Sequence, residues 1–509
     1  MTHGLRDAAS SRYHRRAMSL IIGFLTLGYI LSAAALAVYA GGALILLALW
    51  WRHRYDVPPL PVVADDELPS VTVQLPVYNE RAVIGRLIDA VAALDYPRDR
   101  LHVQVLDDST DDTGELIARR VAHHAQAGLA ITHHRRNDRL GFKAGALGLA
   151  LEQTADDLIA VFDADFVPPS DFLRRVVPYF CTDAHLGMVQ ARWGHLNANE
   201  NLLTRGQALS LDGHFVVEQT GRSRAGLLLN FSGSAGVWRA DCIRDAGGWS
   251  WETLTEDLDL SYRAQLRGWR FLYLPDVVVP AEIPPQMAAY KQQQARWAKG
   301  STQNLLRFAP VLWRSRRLTL AQKFMGTLHL CQYVVHPLML LLLLLTPPLL
   351  AADVLTHLPL APLGLAGLGP PLLYLLSQRH LHANWPRRML AFPILLAVGT
   401  GLALNNGLAV LQALRGEPNT FERTPKFRGE AWQRSGYALE TGRAASGEAL
   451  LAVYALGGGL LAWQTAPSLV PFLLVYAYAF GVVALWSAVE YVQLQRGRRR
   501  AIMQNRLSV

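Results

Sequence analysis

Leu158-Ile159-Ala160-Val161-Phe162-Asp163-Ala164-Asp165 is an apolar run that ends abruptly in two carboxylates. It reads as a buried strand carrying an acidic pair at its carboxyl end. Three comparable runs precede it, Val71–Leu75, His102–Leu106 and Leu129–Thr132. Between them Glu80–Leu94, Asp112–Gln126 and Lys143–Gln153 have helical periodicity. This alternation predicts an α/β domain with a doubly wound, mostly parallel sheet. Such sheets bind ligands at the carboxyl ends of their strands. In extended backbone, residues two apart share a side, so Asp163 and Asp165 are expected to converge. A cation would offset their repulsion. Oxygen ligands suit Mg²⁺ or Mn²⁺ carrying a diphosphate. A merely polar strand end is the alternative.

Further out, the chain has 509 residues, more than one ordinary domain needs. It is 51% hydrophobic and 17% charged, below the roughly 25% of soluble proteins. The deficit lies in Leu20–Trp50 and in five runs after the sheet segment: Gln322–Leu350, Leu355–Leu376, Leu390–Leu414, Ala449–Trp463 and Leu469–Val492. Pro58–Arg316 has a globular mixture. The expected units are 1–54, an N-terminal segment with the first span; 55–318, a cytoplasmic catalytic domain; 319–414, further membrane helices; 415–446, a cytoplasmic loop; and 447–509, a membrane hairpin with a basic tail. The first run is too long for a signal peptide and reads as a retained span.

The net charge of +9 comes largely from Arg residues beside apolar runs, which set topology and touch lipid headgroups. No nucleic-acid motif accompanies it, so nucleic acid is not an expected partner. Cys181, Cys242 and Cys331 have neither pairing nor metal spacing. If all six runs crossed, residues 415–443 and the Arg-rich tail would both lie outside, against the positive-inside tendency. One run is therefore expected not to cross. Leu390–Leu414, with Asn405 and Asn406 at its middle, is the candidate for a helix in the interface.

Several clusters carry groups suited to chemistry. Tyr78 and Glu80 in Pro76-Val77-Tyr78-Asn79-Glu80 make a cleft edge on which a base could stack, or a simple turn. Asp107 and Asp108 could accept from a ribose or base, or form an Asp/Ser turn. Arg139 and Lys143 flank Gly141 where a helix opens, a place suited to a diphosphate or to solvent. Gly233 would let a sugar approach the backbone, and Trp238 could stack on a sugar or pack in the core. Thr255-Glu256-Asp257 opens a helix: either Thr caps it, or Asp257, kept ionised by the helix dipole, is a general base. Gln293, Arg296 and Trp297 share one helical face, suited to a diphosphate and an acceptor sugar or to a membrane interface.

In this order the motifs resemble the membrane-integrated family 2 glycosyltransferases: cellulose synthases, plant cellulose-synthase-like mannan synthases, and hyaluronan and chitin synthases. The resemblance runs from about Ser70 to Arg428. Gly236-Val237-Trp238-Arg239 and Glu256-Asp257-Leu258-Asp259-Leu260 look most like the mannan-synthase branch. It implies a GT-A fold, a nucleotide-sugar donor such as UDP-glucose or GDP-mannose, a divalent cation, and inversion to a β-linkage. It further implies that Asp107 or Asp108 contacts the nucleotide, that Asp163 and Asp165 serve the diphosphate and metal, and that Asp257 is the base. Gln293, Arg296 and Trp297 would hold the acceptor end. Phe421, Thr424 and Lys426 fall where cellulose synthases have a gating loop, with Pro425 a departure. The implied function is extension of a β-glycan at the cytoplasmic face of a multi-pass cell-membrane protein. Transfer to a lipid acceptor is the first alternative, and a non-catalytic transporter or scaffold the second.

Overall fold

The computed structural model describes residues 2–507 apart from residue 360 and residues 421–422, 428–431, 433–436 and 440–443. Seven strands form one sheet: β1 (Val71–Val77), β2 (Leu101–Asp107), β3 (Ala130–Arg135), β4 (Leu158–Val161), β5 (Leu186–His195), β6 (Gly236–Arg239) and β7 (Arg270–Ala281). Their order is β3-β2-β1-β4-β6-β5-β7. β1 to β4 are mutually parallel, β6 runs antiparallel to both neighbours, and β5 pairs parallel with β7. The aliphatic side chains of β1 and β2 are buried because helices cover both faces. Val77 sits opposite Asp107 and Val71 opposite Leu158, which brings the carboxyl ends of β1, β2 and β4 to one edge.

After the N-terminal helix α1 (Thr2–His53), the crossover helices are α2 (Ile84–Ala92), α3 (Thr113–Gln126) and α4 (Phe142–Glu152), close to expectation. Below the sheet edge lie α5 (Leu202–Gly213), α6 (Glu256–Arg267) and α7 (Met287–Arg314). One expectation fails locally. β4 ends at Val161, and Asp163–Phe166 form a turn closed by Phe166 N–H donating to the Asp163 carbonyl at 3.0 Å. The two carboxylates therefore leave a turn, not an extended strand, and each is directed to its own lysine.

Four helices among the described residues are long and apolar enough to cross a membrane: Arg16–His53, Trp385–Leu414, Ala445–Thr465 and Pro467–Arg496. Leu320–Leu330 and Val335–Ala351 qualify together, bent by 66° at their junction. The expected run Leu355–Leu376 does not form such a helix. Pro and Gly residues break it into Leu355–His357, Ala361–Ala366 and Gly369–Leu381. Within Trp385–Leu414, Asn405 Nδ2 donates to the Lys291 carbonyl (2.9 Å), and Asn406 Nδ2 lies 3.0 Å from His336 Nε2. Both amides face protein, so they do not require this helix to lie in the interface.

Candidate active site

The strand ends, the start of α6 and one face of α7 enclose a cavity of about 410 Å³. At its outer end Tyr78 follows β1, and Arg139 lies over its ring, 3.3 Å from the centroid. This makes a flat cationic surface of the kind on which a base stacks. Asn79, at φ 54°, ties the β1 and β2 loops: its N–H donates to Ser109 Oγ (2.9 Å) and its Oδ1 accepts from Thr110 N–H (2.8 Å). Asp108 lines the cavity and is held by Arg136 through two bonds of 2.7 and 2.5 Å. Asp107 does not line it. Fully buried, it accepts from the Ser109 N–H (2.8 Å) and pairs with His133 Nε2 (2.9 Å), so its role is to shape the loop.

Deeper in, Lys143 projects from the first turn of α4. Its Nζ donates to Asp163 Oδ1 (2.6 Å) and the Gly233 carbonyl (2.8 Å), with Glu256 at 3.7 Å. Burial works against its charge, but Asp163 and Glu256 outweigh burial and raise its pKa. Asp165 accepts from Lys426 Nζ at 2.7 Å, and burial raises its pKa despite that lysine. Glu80 is pushed up to about 8 by burial and then by Asp165, and its Oε2 has no hydrogen-bond partner among the described residues.

Asp257 stands at the centre. Its Oδ1 accepts from the Leu258 N–H at 2.8 Å, and Gly233, at φ 83°, leaves room for the carboxylate. A Cβ at Gly233 would lie 2.9 Å from Asp257 Oδ2. Contrary to the expectation from sequence, the helix dipole does not keep this acid low. Burial, and then Glu256, push it up to about 7 against Lys143, the Leu258 N–H and Arg296. Nor does Thr255 cap α6 with its side chain; its Oγ1 accepts from Asn304 Nδ2 at 2.9 Å. Gly300 permits that approach, since a Cβ there would be 2.6 Å from Thr255 Oγ1. α7 is thereby pressed against the start of α6, and Gln293, Arg296 and Trp297 all line the cavity.

Trp238 does not reach the site. It lies on β6 with no exposure, edge-on to Phe231 (5.5 Å), Trp249 (6.1 Å) and Phe271 (5.2 Å). Both faces of this inner strand are covered, so its largest side chain packs in the core. Thr424 and Lys426 line the cavity, while Phe421 lies outside the described residues.

Residues 69–300 match the family model described as "Glycosyltransferase like family 2". That segment is a family 2 glycosyltransferase domain. The chain is 43% identical over 283 residues to glucomannan 4-beta-mannosyltransferase 2 of Arabidopsis thaliana, covering 53% of this chain and 52% of that one. It is 41% identical over 282 residues to glucomannan 4-beta-mannosyltransferase 1 of Oryza sativa subsp. japonica, covering 53% and 54%. The chain thus spans about half the length of the curated relatives it matches. A solved structure, the mannosyltransferase PcManGT from Pyrobaculum calidifontis in complex with GDP-Man and Mn²⁺, shares the fold with a TM-score of 0.52 at 23% identity. That match covers 77% of this chain and 100% of the other.

In the glycosyltransferase domain two cavity-lining carboxylates, Asp163 and Asp165, have the chemistry that holds a divalent cation with a diphosphate, and each is paired here with a lysine. No group of three His, Cys, Asp or Glu side chains could hold a metal among the described residues. Asp163 and Asp165 supply two carboxylates, the usual protein share where phosphate oxygens complete the shell. The partnerless Glu80 Oε2 is a further polar atom on the cavity wall.

Two groups of residues in and around the cavity were not anticipated. Arg136 and Glu282 fix neighbouring acidic and basic groups: Arg136 binds Asp108, and Glu282 pairs with Arg86 at 2.8 Å. Tyr39, His195, His214, Glu218, Tyr290, Tyr333 and Tyr374 extend the cavity toward the apolar helices. Apart from the i,i+4 pair His214 and Glu218, they are scattered singly along the chain, so no shared spacing marks them.

Proposed function

We propose that the chain is an inverting mannosyltransferase that moves mannose from GDP-mannose onto a growing β-mannan or glucomannan. The observation that carries this reading is the convergence on one cavity of Asp257, the Lys143–Asp163 pair and the Arg296–Trp297 face. The mannosyltransferase names of the plant relatives, with over 40% identity across the domain, favour a mannosyl donor. The acceptor hydroxyl attacks the anomeric carbon while Asp257 takes its proton, and the nucleoside diphosphate leaves from the opposite face. Lys143 and Arg296 carry positive charge where negative charge gathers on the departing diphosphate. Asp163 and Asp165, with Glu80 nearby, would hold Mg²⁺ or Mn²⁺, which supplies Lewis-acid stabilisation of the diphosphate when bound. The stacked Tyr78–Arg139 pair receives the base on its outer face, Asp108 receives the ribose, and Trp297 underlies the acceptor sugar. Lys426 and Thr424 cover the donor from the 415–446 loop.

The glycosyltransferase domain faces the cytoplasm. Five crossings, with the broken run Leu355–Leu376 not crossing, return both the 415–446 loop and the basic tail to the same side. Purified protein given radiolabelled GDP-mannose or UDP-glucose, with Mn²⁺ and β-mannotetraose, tests the reading. A mannose-containing, alkali-insoluble or lengthened product from GDP-mannose supports it. Transfer only into an organic-extractable lipid would replace it with a glycolipid synthase.

A further inference from the structure

The α5 residue Asp212 is a buried carboxylate with four partners, none of them in the motifs described above. His195 Nε2 lies at 3.1 Å, Gln378 Nε2 at 2.8 Å, Arg388 Nη2 at 3.2 Å and His382 Nε2 at 3.5 Å. Gln378 lies on the helix Gly369–Leu381, and His382 and Arg388 follow it. The cluster thus joins the glycosyltransferase domain to the helices beside the membrane. Such networks are often purely structural. His195 has a second property. It ends β5, its side chain is only 7% exposed, it lines the active-site cavity, and its Nδ1 has no hydrogen-bond partner among the described residues.

Arg388 already supplies a full positive charge to Asp212. His195 therefore need only donate Nε2–H to the carboxylate, which leaves the Nδ1 lone pair available. A buried acceptor without a donor is costly, and a ligand hydroxyl can remove that cost. The strand order says which part of the ligand. β5 lies two strands beyond β4, on the side away from β1 and β2, whose loops carry Tyr78 and Asp108. The same cavity is lined by Gln207 and Ser210 of α5, the helix that carries Asp212, and by Ile283 just after β7, the strand paired with β5. This is the end remote from the base-stacking surface.

We propose that His195 is an acceptor-binding residue: Asp212 fixes its Nε2–H, and its Nδ1 accepts a hydrogen bond from a hydroxyl of the receiving glycan. The inference rests on the transferase reading and adds a specificity contact to it. His195→Gln is the discriminating variant, because its amide can keep the bond to Asp212 while the Nδ1 acceptor is lost. With GDP-mannose and β-mannotetraose, KM for the tetraose should rise about 3- to 10-fold, the worth of one hydrogen bond. KM for GDP-mannose should stay within about twofold. An unchanged tetraose KM, or an equal rise in both KM values, overturns the proposal. Wild-type protein with ¹⁵N-histidine provides a readout independent of any variant's folding. A histidine Nδ1 resonance should shift upfield on adding β-mannotetraose and not on adding GDP; no shift overturns the proposal. If wild type transfers no mannose at all, the transferase reading fails and takes this inference with it. If wild type is active and His195→Gln is insensitive, only this inference fails.

Discussion

The donor end of the cavity and its acceptor end are assembled differently. Tyr78, Asp108, Lys143, Asp163 and Asp165 come from successive strand–loop junctions of one parallel run, β1 to β4 with the start of α4. Arg296 and Trp297 come from α7, whose position depends on helices far along the chain. Glu490 caps the α7 N-terminus, its carboxylate accepting from the Met287 N–H at 2.8 and 3.0 Å and from the Ala288 N–H at 3.4 Å. Lys291 Nζ pairs with Glu448 (2.7 Å) and Ser487 (2.9 Å), and its carbonyl accepts from Asn405. The donor end is thus a property of the glycosyltransferase domain. The end proposed to hold the acceptor belongs jointly to that domain and to the apolar helices.

Predictions follow from that contrast, the largest effect first. Arg296→Ala should lower kcat about 10²- to 10³-fold by removing charge from the leaving group, with KM for GDP-mannose changed far less. A loss confined to donor affinity would show that Arg296 binds the diphosphate in the ground state and adds nothing as it departs. Gly233→Ala should cost about 10²-fold in kcat, because the added carbon strains a φ of 83° and pushes on Asp257 Oδ2. Normal turnover would show that Asp257 sits with room to spare. The pH profile comes next. Burial raises the Asp257 pKa, so the carboxylate is protonated and inactive as a base below about 7 and gains activity as pH rises through that value. A kcat/KM independent of pH from 5.5 to 8 would contradict this. The smallest effect is that of Glu490→Gln, which removes a charged cap from α7 at a cost of about 1 kcal/mol. Acceptor KM should rise while donor binding by calorimetry stays put. Equal loss of both would erase the division between the two ends.

The same division governs what could be read from sequence. At the donor end, β-branched runs and the polar residues after them are neighbours in the chain, so strands and site emerged together. The errors there were of direction. Asp163-Ala164-Asp165 looks like extended backbone, yet β4 gives way to a turn one residue earlier. Asp107 looks as available as Asp108, yet the parity of β2 turns it inward to His133. Trp238 was ambiguous between sugar and core, and coverage of β6 on both faces decided for the core. Across the rest of the cavity the contacts join distant segments, 49 residues apart for Thr255 with Asn304, 157 for Lys291 with Glu448 and 261 for Lys426 with Asp165. No periodicity or local motif encodes such pairings. For the same reason the sequence does not show what the asparagines of Trp385–Leu414 meet: their partners, Lys291 and His336, lie in other segments.

The central claim is that Asp257 is the base on which both ends converge, and Asp257→Asn tests it most directly. Donor affinity should be measured by calorimetry with GDP-mannose and Mn²⁺, alongside turnover onto β-mannotetraose. The expected result is donor binding within a few-fold of wild type with transfer reduced about 10²- to 10⁴-fold. Transfer at the wild-type rate by a folded Asp257→Asn enzyme would contradict it.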